Sequence, residues 1–177
     1  MLPTPTPLMR PLALALALVS APALAQGAAA PPAAGAPAYA FGETGLRVTL
    51  PADWTGRGVA DESHGARASY TFANGAAGPL AGAVLYVERA VGLNPVEREL
   101  WRRGQWASAY GATRPVARAA APLDGLAFEV AGGGRGGVVV FVQRGPAFWA
   151  VRADAPTSTW AARPDAVAAL VAGVEIE

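Results

Sequence analysis

The chain has 177 residues, a formal net charge of +1, and basic side chains that are all arginine. This length predicts one folded domain, and 53% hydrophobic against 15% charged residues excludes general intrinsic disorder. The absence of cysteine excludes disulfides, zinc–thiolate and iron–sulfur sites, a cysteine nucleophile and a lipid anchor on cysteine, and the near-zero charge gives no electrostatic reason to expect a nucleic-acid partner.

The first 25 residues have the pattern of a secretory signal peptide. Arg10 is the only charge in the first 40 residues, the apolar run 12–19 follows it, and small residues precede a predicted cleavage after Ala25. Met9 is an alternative start that gives a shorter signal. An uncleaved membrane anchor is the other interpretation, but a bilayer needs about 20 apolar residues. We therefore expect a periplasmic or secreted protein.

Residues 26–38 consist almost entirely of Ala, Gly and Pro, which predicts a flexible or partly extended linker. Every aromatic residue lies at or after Tyr39. A core needs large apolar side chains, so we expect one folded domain over residues 39–177.

The first half of this domain contains three predicted strands. Alternation of apolar and polar residues over 46–50 and 66–72 predicts two half-buried strands. Residues 82–88 are apolar on both faces, which predicts a central strand covered on both sides. Trp54 follows the first strand and its Pro51, and we expect it to lie in the core.

A helix is predicted to begin after Asn94, because Asn94 suits the N-cap, a proline follows it, and Glu97 completes a capping box. Gly111 suits the C-terminal cap. Helical spacing predicts a buried stripe along this helix, with Arg103 laying its stem along it and Trp106 beside it. The stripe consists of Val96, Leu100, Arg103, Ala107 and Tyr110. Close backbone packing is the expected reason for Gly104.

The second half predicts an antiparallel meander of strands over 126–131, 138–142 and 147–152, joined by turns. A closing helix is predicted over 158–172, with Pro164 either kinking it or opening its second part, and a short last strand over 174–176. Together these elements predict an α+β fold, in which helices pack on the faces of an antiparallel β-sheet.

Three features of the sequence resemble chemical motifs, but their context favours structural roles. The glycine-rich segment 132–137 precedes a strand rather than a helix, so a flexible hairpin loop with a solvated Arg135 is expected, and a ligand-gating loop is the alternative. His64 is the only imidazole and is expected in an exposed loop, since Ser63 beside it does not make a catalytic triad. Scattered carboxylates are expected on solvated faces and at helix caps. They are Asp53, Asp61, Glu62, Glu88, Glu97, Glu99, Asp124, Glu129, Asp154 and Asp165.

Aromatic and cationic side chains supply the candidates for a binding site. The five tryptophans are mostly expected in the core, but tryptophans also line grooves for apolar or peptide ligands. Arginines cluster on the predicted helix, which favours an exposed helix face over an anion site. The candidate binding residues are Trp101, Trp106, Trp149, Arg98 and Arg102.

The segment 44–54, an apolar strand leading into Pro51-x-x-Trp54, resembles the opening of PsbP-like domains. Residues 125–130, then 148–152 and Trp160, agree with the second half of these domains. The superfamily includes an extrinsic photosystem II subunit and bacterial envelope proteins of the DcrB and LpqN kind. The resemblance implies an α/β sandwich with helices on both faces of an antiparallel sheet and carries no catalytic residues. The chain lacks the lipidated cysteine of the lipoprotein members.

We therefore expect an exported, non-enzymatic domain that binds a protein or envelope component, without metal or other cofactor, without nucleic acid and without a transmembrane segment after cleavage. One alternative is a carrier of a small apolar ligand with a Trp-lined pocket. A carboxylate-dependent hydrolase is the other.

Overall fold

The computed structural model describes residues 35–64, 66–111, 117–119 and 123–177, so the predicted signal peptide and most of the linker lie outside the described residues. The predicted α+β class is confirmed, since the described residues form two antiparallel sheets and three helices. The strands are β1 Ala38–Phe41, β2 Leu46–Thr49, β3 Arg57–His64, β4 Arg67–Ala73, β5 Val84–Val91, β6 Ala117–Ala119, β7 Leu126–Gly132, β8 Arg135–Arg144, β9 Ala147–Pro156 and β10 Val174–Ile176. The helices are α1 Pro95–Tyr110, α2 Thr157–Ala162 and α3 Pro164–Ala169, followed by a 3-10 turn over Leu170–Gly173.

The larger sheet has seven strands in the order β3-β4-β5-β9-β8-β7-β6, and the smaller sheet has the order β1-β2-β10. Every pairing is antiparallel. The predicted meander β7-β8-β9 is confirmed, and the predicted last strand is present as β10, which pairs with β2 rather than joining the larger sheet. Among the described helices, none is long and apolar enough to cross a membrane.

The larger core lies on one face of the seven-stranded sheet, beneath the three-stranded sheet and the helices α2 and α3. The alternation that predicts β2 turns Leu46 and Val48 into this core. Aromatic side chains of β1 continue the packing, with the Phe41 ring centroid 4.4 Å from that of Tyr70. Trp54 is buried here, as predicted.

The opposite face carries a smaller core beneath α1. Trp101, Trp106 and Tyr110 of α1 pack with apolar residues of β5, β7, β8 and β9. The edge of this face remains open, since Val59 on β3 is 64% exposed. Because α1 covers only part of the sheet, surface grooves form along it.

The ends of α1 are confirmed, but of its predicted buried stripe only Tyr110 is buried. Asn94 accepts hydrogen bonds from the Val96 and Glu97 backbone N–H groups, and Gly111 forms a left-handed C-cap. Val96 and Leu100 are 69% and 62% exposed, respectively. Arg103 points to solvent and pairs with Glu99, and Ala107 is exposed. The helix is rotated so that its two tryptophans, the larger apolar surfaces, face the sheet.

The glycine-rich segment forms the predicted hairpin connection, but as a tight turn rather than a flexible loop. Only Gly133 and Gly134 form the turn, and their φ values of 56° and 76° match the positive φ that a type I′ turn requires. Gly136 and Gly137 belong to β8, where neighbouring atoms leave no room for a side chain. Arg135 is not a solvated tip residue, because it pairs with Asp154 and donates to the Gly82 carbonyl at 3.0 Å.

We therefore expect opposite outcomes from two glycine substitutions in this hairpin. Gly133→Asn should leave the melting temperature nearly unchanged, since Asn-Gly suits a type I′ turn. Gly136→Ala should cost about 1–3 kcal/mol of unfolding free energy, because an added Cβ would lie 2.7 Å from Trp160 Cγ. Urea denaturation followed by tryptophan fluorescence compares the two variants. Equal losses would contradict this account of the hairpin.

Several other expectations need correction. The predicted closing helix is divided into two, since α2 ends before Arg163 and α3 begins at Pro164. Of the two alternatives for Pro164, the one in which it opens the second part of the helix is confirmed. Strands β1, β3 and β6 were not predicted. His64 is the last residue of β3 rather than part of a loop. Its side chain is not among the described parts of the chain, so its expected exposure stays a prediction.

Candidate binding grooves beside the long helix

Trp101 stands between two grooves that flank α1. Its indole Nε1 donates a hydrogen bond to Glu88 Oε1 at 2.7 Å on one side. Its ring meets the Phe141 ring edge-on at a centroid distance of 5.9 Å on the other. This side chain therefore forms part of the wall of both grooves.

The arginine groove, as we name the first of them, lies between α1 and the β8–β9 hairpin and has a volume of about 380 Å³. This volume falls at the lower end of the range for small-molecule sites. The groove is lined by Arg98, Trp101, Arg102, Asp124, Gly125, Leu126, Phe141, Val142, Gln143, Arg144, Phe148 and Trp149.

Aromatic rings and guanidinium groups are stacked in the arginine groove. The Arg98 guanidinium carbon lies 5.0 Å from the Phe148 ring centroid, and that of Arg102 lies 5.1 Å from the Phe141 centroid. Strand pairing places Phe148 opposite Gln143, two residues from Phe141, so the two rings are diagonal neighbours on adjacent strands. Positions 98 and 102 are one helical turn apart, which matches this spacing.

Positive charge in the arginine groove is poorly compensated. Among the described residues, Arg98 forms no ion pair. Arg102 contacts Glu99 only at 3.4 Å, and its buried Nε finds no acceptor in the described part of the chain. Arg144 lies 4.0 Å from Asp124, whose side chain is 96% exposed. Exposed pairs of this kind contribute little, so the guanidinium groups are available to an anion.

The glutamate groove, on the other side of Trp101, is larger, at about 630 Å³. Its lining residues are Arg67, Tyr86, Glu88, Glu97, Leu100, Trp101, Gly104, Gln105, Ser108 and Arg152. The predicted close packing around Gly104 is wrong, since a Cβ there would meet nothing within 4 Å. Gly104 instead forms part of the groove wall.

Glu88 is held at the floor of the glutamate groove by three uncharged donors. Besides Trp101, Gln105 Nε2 donates to Oε2 at 2.8 Å and the Tyr86 hydroxyl donates at 3.1 Å. Burial, and then the neighbouring Glu88 charge, raise the pKa of the Tyr86 hydroxyl. The carboxylate is therefore fixed in place as an acceptor. Strand β5 is internal as predicted, but this face of it forms a groove floor rather than being covered.

A buried ion network lies next to this groove. The Asp154 carboxylate, 3% exposed, pairs with Arg135 and with Arg152 and accepts a hydrogen bond from the Tyr110 hydroxyl at 2.9 Å. Burial, followed by the Asp154 charge, raises the pKa of Tyr110. Arg152 also lies over the Tyr86 ring at 4.6 Å. The predicted solvated role of Asp154 is thus wrong, and the network ties α1 to the sheet.

Three of the five predicted binding residues, Arg98, Trp101 and Arg102, meet in the arginine groove. Trp149 also borders the groove, but it is 1% exposed and its side chain belongs to the larger core on the opposite face of the sheet. Trp106 is instead buried beneath α1, with its ring centroid 6.0 Å from those of Phe128 and Phe141. The helix therefore presents the predicted arginines to a groove rather than only to solvent.

Sequence reasoning missed Phe141, Phe148 and Arg144 as groove residues, and Glu88 as a fixed acceptor. Phe141, Phe148 and Arg144 lie on β8 and β9, far from α1 in sequence, and Glu88 contacts Trp101 and Gln105 across 13 and 17 residues, so no local spacing reveals these positions. Of the carboxylates, Glu88 and Glu97 share a groove, but Glu97 accepts the Asn94 backbone N–H at 2.9 Å as part of the helix cap. No cluster of three or more potential metal ligands occurs among the described residues.

Alkaline pH should destabilise the fold through Tyr110. The pKa of Tyr110 is higher in the folded state than in the unfolded state. The stability contributed by its protonated hydroxyl is therefore fully present below about pH 10 and is lost as the pH rises above that value. The chain has no lysine or cysteine, so tyrosines are the side chains that titrate in this range. Above about pH 10, we expect the unfolding free energy of the wild type to fall more steeply with pH than that of Tyr110→Phe, by about 1.4 kcal/mol per pH unit.

Urea denaturation from about pH 9 to about pH 11 measures this difference in slope. The Tyr39→Phe variant provides the control, because Tyr39 lies on the other side of the sheet, against Phe72. Parallel pH profiles for wild type and Tyr110→Phe would show that the Tyr110 proton is not linked to folding.

Comparison with known proteins gives no match to a family model and no match to a curated protein. The site must therefore be interpreted from its own geometry.

Proposed function

We propose that the chain is an exported, non-enzymatic binding domain that holds a protein or other envelope component in the arginine groove. The observation that carries the proposal is the convergence of Arg98, Arg102 and Trp101 on one groove whose positive charge is poorly compensated. Export is supported by the N-terminal pattern of Arg10, an apolar run and small residues before position 26.

We also propose membership of the PsbP-like superfamily. The support is the Pro51-x-x-Trp54 segment after a strand, with Trp54 in the core, and an antiparallel sheet with helices on both faces. This is the architecture that the resemblance implies. The same superfamily suggests an adaptor or stabilising role, in keeping with binding rather than catalysis.

Site-specific photo-crosslinking in the native host tests the proposed function. A benzoylphenylalanine at Leu126, which is 40% exposed and lines the arginine groove, should form an adduct with one envelope component. The same probe at Glu175, exposed on β10 of the smaller sheet, is the control and should not form it. The adduct at Leu126 should be lost when Arg98→Gln and Arg102→Gln are introduced.

Equal adducts at both probe positions, or an adduct at Leu126 that is indifferent to the two arginines, would contradict the proposed site. The export part is tested separately by intact mass of the protein recovered outside the cytoplasm. A chain beginning at Gln26 is expected, and a chain that keeps residues 1–25 in a membrane fraction would contradict it.

A further inference from the structure

We infer that the component bound in the arginine groove is an amphipathic carboxylate, with an apolar chain or ring on the aromatic floor and its carboxylate held by Arg98 and Arg102. This rests on the proposed function and specifies the ligand chemistry of the same site. It replaces the purely apolar ligand expected for a Trp-lined pocket.

The floor of the groove accepts an apolar body. Phe148 is half-buried and presents apolar surface in the groove, beside the buried ring of Phe141 on the adjacent strand, which the buried Trp101 meets edge-on. Leu126, partly exposed, extends this apolar surface at the rim. Covering such a surface with a hydrocarbon group removes apolar area from water, which favours binding.

The charges select an anionic head group. Three guanidinium groups line the groove against one carboxylate, and Asp124 is almost fully exposed. Arg98 lies in the first turns of α1, where the helix dipole disfavours a cation, yet it has no ion pair among the described residues. An anion bound beside Arg98 would neutralise the charge of this side chain and offset its unfavourable interaction with the helix dipole.

The arrangement of donors favours a carboxylate in particular. Guanidinium is a planar donor fork that matches the two oxygens of a carboxylate. Arg102 has a buried Nε without an acceptor in the described part of the chain and only a long contact to Glu99. Arg102 is one helical turn from Arg98, and the guanidinium group of each lies over a phenylalanine ring. Both guanidinium groups are therefore held at the edge of the apolar floor.

The dimensions of the groove favour a free acid over a membrane. About 380 Å³ is at the small end for ligand sites and is too little for a lipid with two long chains. The guanidinium groups lie on the walls of a groove, over rings, rather than projecting together from a flat face. We therefore commit to a single-chain or single-ring carboxylic acid as the ligand.

Calorimetric titration of the purified mature protein with decanoate, kept below micelle formation, tests this inference. We expect one molecule bound per chain. Decanol, with the same chain but no charge, and acetate, with the head group but no chain, should each bind at least about tenfold more weakly, because each lacks half of the recognised chemistry.

The variants Arg98→Gln and Arg102→Gln should each weaken decanoate binding about tenfold. Arg103→Gln is the matched control: it removes the same charge from the same helix, but Arg103 points to solvent and is not part of the groove lining. Its affinity for decanoate should stay within about twofold of the wild type. Thermal unfolding of each variant verifies that the fold is retained.

Decanol binding as tightly as decanoate, or loss of affinity in Arg103→Gln equal to that in Arg102→Gln, would overturn the inference. Binding to phosphatidylglycerol vesicles without binding of free decanoate would overturn the choice of a free acid. If decanoate fails to bind but the Leu126 crosslink still depends on the two arginines, only the ligand class is wrong. If both fail, the proposed site is wrong as well.

Discussion

Replacement of Asp154 by Ala is expected to lower the free energy of unfolding by about 3–5 kcal/mol. The side chain is almost completely buried and pairs with Arg135 and Arg152, so its loss leaves two guanidinium groups together without their shared anion. Tyr110 also loses its acceptor. Urea denaturation followed by tryptophan fluorescence measures the change.

An exposed ion pair provides the control for Asp154. Glu177→Ala removes the partner of Arg47, at 3.1 Å, where both side chains are largely exposed. Exposed pairs contribute about 0–1 kcal/mol, so this variant should unfold close to the wild type. If Asp154→Ala also lost no more than about 1 kcal/mol, the buried network would not hold α1 on the sheet as described.

Trp54→Ala is the second substitution with a large expected effect, a loss of about 3–5 kcal/mol. Trp54 is 5% exposed in the larger core and follows the Pro51 turn, with its backbone N–H donating to the Pro51 carbonyl at 3.0 Å. A loss of this size is a large share of a total stability of about 5–15 kcal/mol. The variant should melt far below the parent or fail to accumulate.

Val59→Ala is the matched control for Trp54, since Val59 is an apolar residue in the solvent-exposed part of β3. Its unfolding free energy should change by no more than about 0.5 kcal/mol. A Trp54→Ala protein that melts like its parent but loses an envelope partner would show that Trp54 is a contact residue and not part of the core.

Local patterns were sufficient to predict α1 and several strands. A capping box indicates where a helix begins, and the alternation of apolar and polar residues indicates which residues of β2 and β4 face the core. Both patterns span only a few residues, so they can be recognised in the sequence. The face of α1 was mispredicted, since Val96 and Leu100 are apolar but the orientation is set by packing of Trp101 and by its hydrogen bond to Glu88.

Features set by distant contacts could not be predicted. Gly136 and Gly137 belong to β8 through their pairing with β7 and β9, and Trp160 and Asp154 lie so close to them that there is no room for a side chain. Neither contact has a local signal. The residue types of the arginine groove were partly predicted from α1, but its floor is supplied by β8 and β9. Strand β3 has few apolar residues because part of its surface is exposed, so alternation does not reveal it.

The central claim is that the arginine groove is the binding site, and a 15N–1H NMR spectrum of the mature protein with and without decanoate tests it most directly. We predict shifts in the indole N–H signal of Trp101 and in the backbone amides of positions 98–102 and 141–149, which surround the groove. The indole signals of Trp54 and Trp160, on the opposite face, should stay in place. Shifts confined to Trp54 and Trp160, or no shifts at saturating decanoate, would contradict the account.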